Sequence, residues 1–212
     1  MLTIKNFIFN PFQENTYVIS DDSGKCIVLD PGCYFENEQV ELKNYIKQNN
    51  LTPEYIVYTH GHVDHIIGTE FLKKEFGIKA IMHKDDMDIL HNSSEFAASI
   101  GLDMEQPSDP ELHISENEKI NFGNIDFITY HAPGHSPGSI ILHYPEENIL
   151  FSGDVLFRKG IGRSDLGGGD HDTLIRSIKT KILPLDENTE VYTGHGESTT
   201  VFEEKHENPF LV

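Results

Sequence analysis

The hydrophobic and polar positions at the start of the chain alternate with the period of a β-strand. This alternation, together with the β-branched content, predicts strands at Leu2–Phe9, Asn15–Ser20 and Lys25–Asp30. The polar run Asp21–Gly24 lies between the last two strands and has the composition of a hairpin turn. We therefore expect the chain to open as an antiparallel sheet.

Helical periods enter the pattern after the third strand. A partial apolar stripe predicts a helix over Phe35–Asn49, which the strand Tyr55–Thr59 follows. The next elements are a helix, a strand and a helix, at Ile67–Phe76, Lys79–Met82 and Lys84–Leu90. Strands and helices thus begin to alternate in this region.

The second half of the chain returns to strands after an irregular stretch. Residues His91–Pro110 lack a clear period, which indicates a surface excursion and a candidate lid. The pattern then predicts strands at Lys119–Phe122, Ile125–His131, Ser139–Tyr144, Ile149–Ser152 and Glu190–Thr193. It also predicts helices over Thr173–Ile182, capped by Asp170 or Asp172, and around Thr200–His206.

Two sheet-building halves with helices after their strands indicate an α/β fold. We expect a four-layer αββα sandwich, in which two mixed β-sheets lie face to face with helices outside. The chain has 212 residues, a length that one hydrophobic core can serve. We therefore expect a single domain over residues 1–212.

Charge and hydropathy narrow the classes of partner. The chain has 16 basic and 35 acidic residues, a net charge of −19, which disfavours nucleic acid and anionic membranes as partners. Its apolar residues form no run of the ~18 needed to span a membrane. The N-terminus lacks the pattern of a signal peptide, so we expect a cytoplasmic protein. Two cysteines, Cys26 and Cys33, make no disulfide framework, which fits that compartment.

The densest candidate chemistry is the stretch THGHVDH. It contains His60, His62, Asp64 and His65, whose imidazole and carboxylate groups suit Zn²⁺ and are accepted by Fe or Mn. His60 and His62 could face one metal ion, while Asp64 and His65 project the other way where a helix begins. Chance placement of three histidines and an aspartate in six residues is a poor alternative.

Three further stretches place candidate ligands just after predicted strands. They are HAPGHSPGS with His135, FSGDVLF with Asp154 and YTGHGES with His195. The remaining histidines are interpreted as exposed or satisfied side chains, and they are His83, His91, His113, His131, His143, His171 and His206. The candidate ligands thus collect at strand ends.

Together with Asp30 in LDPG, these stretches resemble the five motifs of the metallo-β-lactamase superfamily, in the family order. The resemblance implies two divalent metal ions, most simply Zn²⁺, and a hydroxide that bridges them as the nucleophile. It implies a first metal at His60, His62 and His135, a second at Asp64, His65 and His195, Asp154 as the bridging ligand, and Asp30 as a supporting residue. Asp64 and Asp154 are the implied catalytic residues, with Asp64 a proton shuttle if it does not bind metal.

The runs SGDVLFRKGIGRSDLGGGDHDTLIRSI and GHGESTTVFEEKHENPFL are similar to short glyoxalase II-type proteins, the hydroxyacylglutathione hydrolases. That resemblance implies hydrolysis of a small acyl thioester to a hydroxy acid and a thiol. Full-length glyoxalase II enzymes carry a C-terminal helical domain that holds glutathione, and we expect none here. The acyl group, the thiol and the oligomeric state stay open.

Other activities of the fold remain alternatives. A mononuclear iron persulfide dioxygenase would share the H-x-H-x-D-H stretch and the run Gly160–Asp165, and a lactone or ester hydrolase would share the hydroxide. Neither cysteine stands where many β-lactamases place one on the second metal, which argues against antibiotic hydrolysis. We expect Arg163 and Asp165 to form an internal salt bridge, and a cleft-facing Cys33 is a minor alternative to a buried one.

Overall fold

The computed structural model describes residues 2–212 and contains fourteen strands and seven α-helices among them. The strands β1 to β14 are Thr3–Phe9, Glu14–Ser20, Lys25–Leu29, Thr52–Val57, Lys79–Met82, Leu112–His113, Lys119–Phe122, Ile125–His131, Ile140–Tyr144, Ile149–Gly153, Leu156–Phe157, Gly160–Ile161, Glu190–Thr193 and Thr199–Thr200. The helices α1 to α7 are Glu36–Gln48, Val63–Ile66, Thr69–Phe76, Met87–His91, Ser93–Ser99, His171–Ser177 and Val201–Glu207.

The first sheet has six strands in the order β1-β2-β3-β4-β5-β6. Strands β1, β2 and β3 pair antiparallel, as the opening alternation predicts. Strands β3 to β6 pair parallel, with the helices α1 and α3 in the connections. Because β3 and β4 run parallel, the segments that follow them emerge at the same edge of the sheet.

The second sheet has six strands in the order β14-β13-β10-β9-β8-β7. Strands β8, β9 and β10 pair antiparallel, whereas β10 and β13 pair parallel from Ile149 to Gly153. The parallel pair ends at Gly153 and Thr193, so the segments that follow also share one edge. Strands β11 and β12 form a separate two-stranded hairpin. The expectation of a mixed α/β chain with two mixed sheets is confirmed.

The chain divides into two compact units. Unit 1 runs to His113 and includes Asn121–Ile125, while unit 2 comprises Ile114–Ile120 and Asp126–Val212. Unit 1 has a core in which Leu42 and Ile46 of α1 pack with strand residues such as Val28 and Ile56. In unit 2, Leu174, Ile178, Ile182 and Val201 pack with Ile141, Leu150 and Val191 of the sheet. The single domain expected from the chain length stays a prediction.

Most predicted elements are present, and the differences have local causes. The stretch 91–110, for which no helix was predicted, contains the helix α5, Ser93–Ser99. This helix is short, and its apolar residues form only part of a one-sided stripe, so the helical period is not visible in the sequence. The helix predicted over Ile67–Phe76 is α3, which begins at Thr69, and the separate short helix α2 precedes it. The helix predicted to run to Ile182 changes at Ile178 into a π-helical segment. Its cap is Asp170, whose carboxylate accepts from Thr173 N at 2.8 Å.

Within residues 2–212, no helix has both the length and the apolar character that crossing a bilayer requires. The longest helix, α1, has 13 residues and carries charged side chains, against about 20 apolar residues for a span. This agrees with the lack of a long apolar run in the sequence.

Candidate metal centre

In unit 1, the candidate ligands follow the parallel strands β3 and β4. Asp30 comes directly after β3, and its backbone N donates to Val57 O of β4 at 2.9 Å. His60 and His62 occupy the loop after β4, and Asp64 and His65 lie in the four-residue helix α2. The short path from strand to helix is why four ligand-type side chains of this stretch emerge at one sheet edge.

Asp30 holds this loop with its carboxylate. Its Oδ1 accepts from Thr59 N at 2.6 Å and its Oδ2 from the Thr59 hydroxyl at 2.6 Å. The same Oδ2 lies 3.0 Å from Nδ1 of His65, which is fully buried. Asp30 adopts φ +50°, a left-handed conformation that Asp tolerates better than most residues. The carboxylate thus supports the loop from beneath.

The hydrogen bonds fix which nitrogen each buried imidazole presents. A carboxylate only accepts, so His65 Nδ1 carries the proton and Nε2 keeps its lone pair. The Thr59 hydroxyl donates to Asp30, so His60 Nδ1, 3.0 Å away, donates to the hydroxyl oxygen. In the neutral imidazole each of these histidines therefore presents an unprotonated Nε2, the form in which metal-binding histidines are held.

The rings of the unit 1 histidines lie close together. The ring centroids of His60 and His62 are 4.8 Å apart, and those of His60 and His65 are 4.2 Å apart. His60 and His65 are buried, while His62 and Asp64 are half-buried. The structure therefore brings together the four predicted ligands of this unit.

Sequence patterns missed two residues that hold the same loop. Asp86 is fully buried, and its Oδ2 accepts from Gly61 N at 2.8 Å. Asn10 donates from Nδ2 to the carbonyl oxygens of Asp64, at 2.9 Å, and Gly32, at 3.1 Å. Both residues stand in ordinary polar stretches, so no pattern in the sequence marked either of them.

Glu14 is a further missed residue beside this loop. It is fully buried, its Oε2 accepts from Thr16 Oγ1 at 2.8 Å, and Thr16 Oγ1 accepts from Gly32 N at 2.8 Å. Burial raises the pKa of the Glu14 carboxyl well above its usual range. Burial therefore favours the neutral form of Glu14.

In unit 2, the candidate ligands come from separate segments. His135 lies in the turn after β8, where Ala132 N donates to Ser139 O at 2.8 Å. Asp154 follows β10 and His195 follows β13, the two parallel strands. Gly194 N donates to Gly153 O at 2.8 Å, which ties these two strand ends together. Topology, not sequence proximity, collects these side chains.

His135 is buried and its orientation is set by a backbone carbonyl. Its Nδ1 lies 2.8 Å from Arg163 O, which only accepts, so Nδ1 carries the proton and Nε2 keeps the lone pair. Nε2 of His135 and Nε2 of His195 each lie 3.6 Å from Asp154 Oδ2. One carboxylate oxygen therefore stands close to both imidazoles of this unit.

The donor set of each unit fits a divalent metal ion. Every candidate donor is an imidazole nitrogen or a carboxylate oxygen, the ligands that Zn²⁺, Fe and Mn share in proteins. His60, His65 and His135 each have Nδ1 engaged in a hydrogen bond, which leaves Nε2 for a metal. The chemistry of these side chains thus agrees with the metal ions that the motifs imply.

The other residues singled out in the sequence have plain structural roles. Arg163 and Asp165 form a paired contact, with Nε to Oδ1 at 2.8 Å, and the Arg163 guanidinium lowers the pKa of Asp165 to about 2. Cys33 is fully buried in unit 1, and burial raises the pKa of its thiol. Burial also raises the pKa of Cys26 to about 12. The salt-bridge interpretation therefore fits, and neither thiol faces solvent.

A model of the metallo-β-lactamase superfamily matches residues 9–195, so the chain belongs to this superfamily. The resemblance seen in the motifs is confirmed, and the mixed α/β structure is the metallo-β-lactamase fold. Membership and the histidine and aspartate groups support a metal-binding hydrolase that uses divalent metal ions.

Two relatives are similar over nearly their whole length. The probable metallo-hydrolase YqgX of Bacillus subtilis is 38% identical over 95% of this chain and 93% of its own. The hydroxyacylglutathione hydrolase GloC of Haemophilus influenzae is 37% identical over 94% of this chain and 93% of its own. The family membership therefore extends over almost all of the chain.

Two crystal structures are also close in fold and sequence. The BLEG-1 B3 metallo-beta-lactamase has a TM-score of 0.91 and 36% identity, with 99% of this chain and 100% of that chain covered. TTHA1623 in a di-iron-bound form has a TM-score of 0.88 and 34% identity, with 98% and 100% covered. Similar chains thus include one that is named as a β-lactamase.

Proposed function

We propose that this chain is a dinuclear metal-dependent thioester hydrolase, which converts a small hydroxyacyl thioester and water into a hydroxy acid and a thiol. His60, His62 and His135 would hold one metal, Asp64, His65 and His195 the other, and Asp154 both. Zn²⁺ fits this nitrogen and oxygen set best, while Fe is supported by the similar di-iron-bound protein.

One observation carries the proposal. The imidazoles of His60, His65 and His135 each have Nδ1 bound to a fixed acceptor, so that the Nε2 of each neutral ring can bind a metal ion through its lone pair. Such pre-set tautomers are what metal ligands require and what surface histidines have no reason to adopt. A carboxylate near two imidazoles, as Asp154 is near His135 and His195, suits a shared ligand.

Thioesters are the favoured substrate class because a 37% identical relative is a hydroxyacylglutathione hydrolase. The chemistry of a thioester also suits the residues present. A thiol has a pKa of about 8.5, so its thiolate leaves without a strong general acid. Cys26 and Cys33 are both buried, which argues against a covalent acyl-cysteine route. The carrier thiol stays open.

When bound, the metal ions would supply an ionised water near neutral pH and polarise the acyl carbonyl. The residues of the chain supply orientation and proton handling. Asp30 and Thr59 fix the rings of His60 and His65, and the Arg163 carbonyl fixes His135. Asp64 is half-buried with Oδ2 3.6 Å from His65 Nε2, a place suited to ligation or to holding the proton of the attacking water.

The test combines metal counting with a substrate panel. Protein purified without added metal is analysed by elemental mass spectrometry, reloaded with Zn²⁺ or Fe²⁺, and assayed for thiol release from lactoylglutathione and other acyl thioesters. We expect about two ions per chain, loss of activity on chelation, and a loss of about 10²-fold or more for Asp154→Ala. Asp109→Ala, at an exposed surface ion pair with His91, should match the parent protein.

A fully metal-loaded protein that turns over no acyl thioester would overturn the proposed substrate class. About one Fe per chain, with oxygen uptake on a persulfide, would favour the dioxygenase instead. A lactone panel separates the ester-hydrolase alternative, because its product carries no thiol. These readouts distinguish the three reactions on the same preparation.

A β-lactam hydrolase is the second candidate. The observation that favours it is the 36% identity to the BLEG-1 B3 metallo-beta-lactamase, with both chains almost fully covered. The same donor set could open an amide ring, since the attacking group and the polarised carbonyl are alike. A chromogenic cephalosporin in the substrate panel decides between the two, through the ratio of kcat/KM for cephalosporin and thioester.

A further inference from the structure

The C-terminal stretch TTVFEEKHENP follows the last ligand motif and belongs to none, yet it contains a fully buried acid. Glu204 lies in α7 and its side chain has no exposed surface. A carboxylate in such a place costs free energy unless hydrogen bonds replace its water. Its neighbours in unit 2 show what it does there.

Three donors meet the Glu204 carboxylate. Thr199 Oγ1 lies 2.6 Å from Oε1 of Glu204 and 2.8 Å from Oε2 of Glu203, so its single proton is shared between two acceptors, of which Glu204 is the nearer. Asn208 Nδ2 donates to Oε2 of Glu204 at 2.6 Å. The third donor is the backbone N of Lys159, which reaches Oε2 at 2.9 Å. Two of these partners flank α7 itself, whereas Lys159 belongs to the β11–β12 hairpin. Glu204 therefore joins the C-terminal helix to that hairpin.

The hairpin turn is a conformation that needs such support. Lys159 adopts φ +56°, which is unfavourable for a residue other than Gly, Asn or Asp. Besides its bond to Glu204, Asn208 Nδ2 donates to Gly160 O at 3.0 Å. Both backbone groups at the tip are thus bound by buried polar side chains of the C-terminal segment.

The same hairpin contacts one candidate ligand through its first strand. Phe157 of β11 pairs with Gly160 across the hairpin. Its ring lies edge-on to the imidazole of His195, with 6.0 Å between the centroids. A shift of the hairpin would therefore move the Phe157 ring, which packs against the imidazole of His195.

The chain leaving the second strand contacts the other two ligands. Gly162 follows β12 so closely against Asp154 that an added Cβ would lie 1.9 Å from Asp154 O. The same Cβ would lie 3.0 Å from His135 Nδ1, and Arg163 O accepts from that nitrogen at 2.8 Å. The segment from β11 to Arg163 thus touches all three candidate ligands of unit 2.

We propose that Glu204 is a positioning residue for the metal ligands of unit 2: by holding the β11–β12 hairpin, it fixes the orientations of His135, Asp154 and His195. It acts through Phe157, Gly162 and the Arg163 carbonyl and touches none of the ligands itself. The proposal rests on the proposed metal site but not on the proposed substrate.

The chain offers a matched pair of variants. Glu204→Leu keeps a side chain of similar size and removes both acceptor oxygens, so that Lys159 N and Asn208 Nδ2 lose their acceptor. Glu207→Leu removes a carboxylate from the same helix that pairs with the same hairpin residue, because Glu207 Oε2 lies 2.9 Å from Lys159 Nζ on the exposed surface. An exposed pair of this kind contributes little to structure.

Co²⁺ is the probe, since it occupies nitrogen and oxygen sites and its visible absorption reports their geometry. Metal-free parent and variant proteins are titrated with Co²⁺ in competition with a chromophoric chelator, and their melting temperatures are measured without metal. We expect Glu207→Leu to match the parent. For Glu204→Leu we expect Co²⁺ affinity to fall about 10-fold or more, with altered absorption bands.

A folded Glu204→Leu protein with parental Co²⁺ affinity and spectrum would overturn the proposal, even if its melting temperature fell, because the role of Glu204 would then be structural only. If Glu204→Leu does not fold, Glu204→Asp serves as the second variant, since its shorter side chain keeps a carboxylate in α7 but withdraws it from Lys159 N. Parental Co²⁺ binding by that variant would overturn the proposal equally. Absence of thioesterase activity in the parent would leave these readouts unaffected.

Discussion

The groups of candidate metal ligands in the two units are built in opposite ways. In unit 1, His60, His62, Asp64 and His65 come from one loop and helix, and side chains such as Asp30 and Asp86 hold them in place. In unit 2, His135, Asp154 and His195 come from three segments, and a backbone carbonyl and close-packed glycines hold them.

This difference has a consequence for how each group responds to change. Support by a side chain can be removed by one substitution that leaves the backbone in place. Support by a carbonyl and by close backbone packing responds instead to changes in chain conformation or volume. The two units should therefore fail under different mutations, even though their ligands are chemically alike.

The largest contrast is expected between Asp30→Asn and Arg163→Ala. Asn tolerates the left-handed backbone and keeps Oδ1 as an acceptor. Its amide nitrogen, which only donates, would however face two other donors, the Thr59 hydroxyl and His65 Nδ1. We expect metal affinity to fall about 10- to 100-fold. Arg163→Ala removes an exposed pair with Asp165 and keeps the carbonyl, so affinity should change less than about 3-fold. Competition titration with Zn²⁺ measures both, and equal losses would refute the contrast.

The next contrast is between two glycines. An added Cβ at Gly162 would lie 1.9 Å from the backbone oxygen of Asp154, which cannot move alone. At Gly61 the nearest atom, at 2.8 Å, is the flexible end of Met82. We expect Gly162→Ala to lower the free energy of unfolding by about 1–3 kcal/mol or more, and Gly61→Ala by less than about 1.5 kcal/mol. Urea denaturation of the metal-free proteins gives both values, and the reverse order would contradict the packing argument.

The smallest effect concerns a histidine of unit 2 that is no ligand. Burial lowers the pKa of His143, and its Nδ1 has no hydrogen-bond partner among residues 2–212. A histidine with a lowered folded pKa adds stability above its unfolded value of about 6.5 and loses it as the pH falls below that value. Between pH 7 and pH 5, His143→Leu should therefore lose less free energy of unfolding than the parent does. Urea denaturation of both metal-free proteins at each pH measures this loss, and the candidate ligand histidines contribute equally to both proteins. An equal loss in the two proteins would disprove the prediction.

Much of the fold and of unit 1 could be predicted from the sequence. The alternating period of β1 to β3 and the capping residue Asp170 are local signals, and they matched the structure. The loop THGHVDH is local too, because one strand-to-helix turn brings its side chains to the same sheet edge. The sequence also contained the motifs that identify the superfamily, which the family match confirms.

What only the tertiary structure decided is the support of the ligands. Asp86 and Asn10 reach the unit 1 loop from distant, unremarkable stretches, and the Arg163 carbonyl carries no side-chain signal at all. Glu204 reaches Lys159 across 45 positions of sequence. Local patterns show which side chain stands at each position of the sequence. A hydrogen bond between distant segments depends instead on the path of the whole chain, so these contacts follow from the packed structure alone.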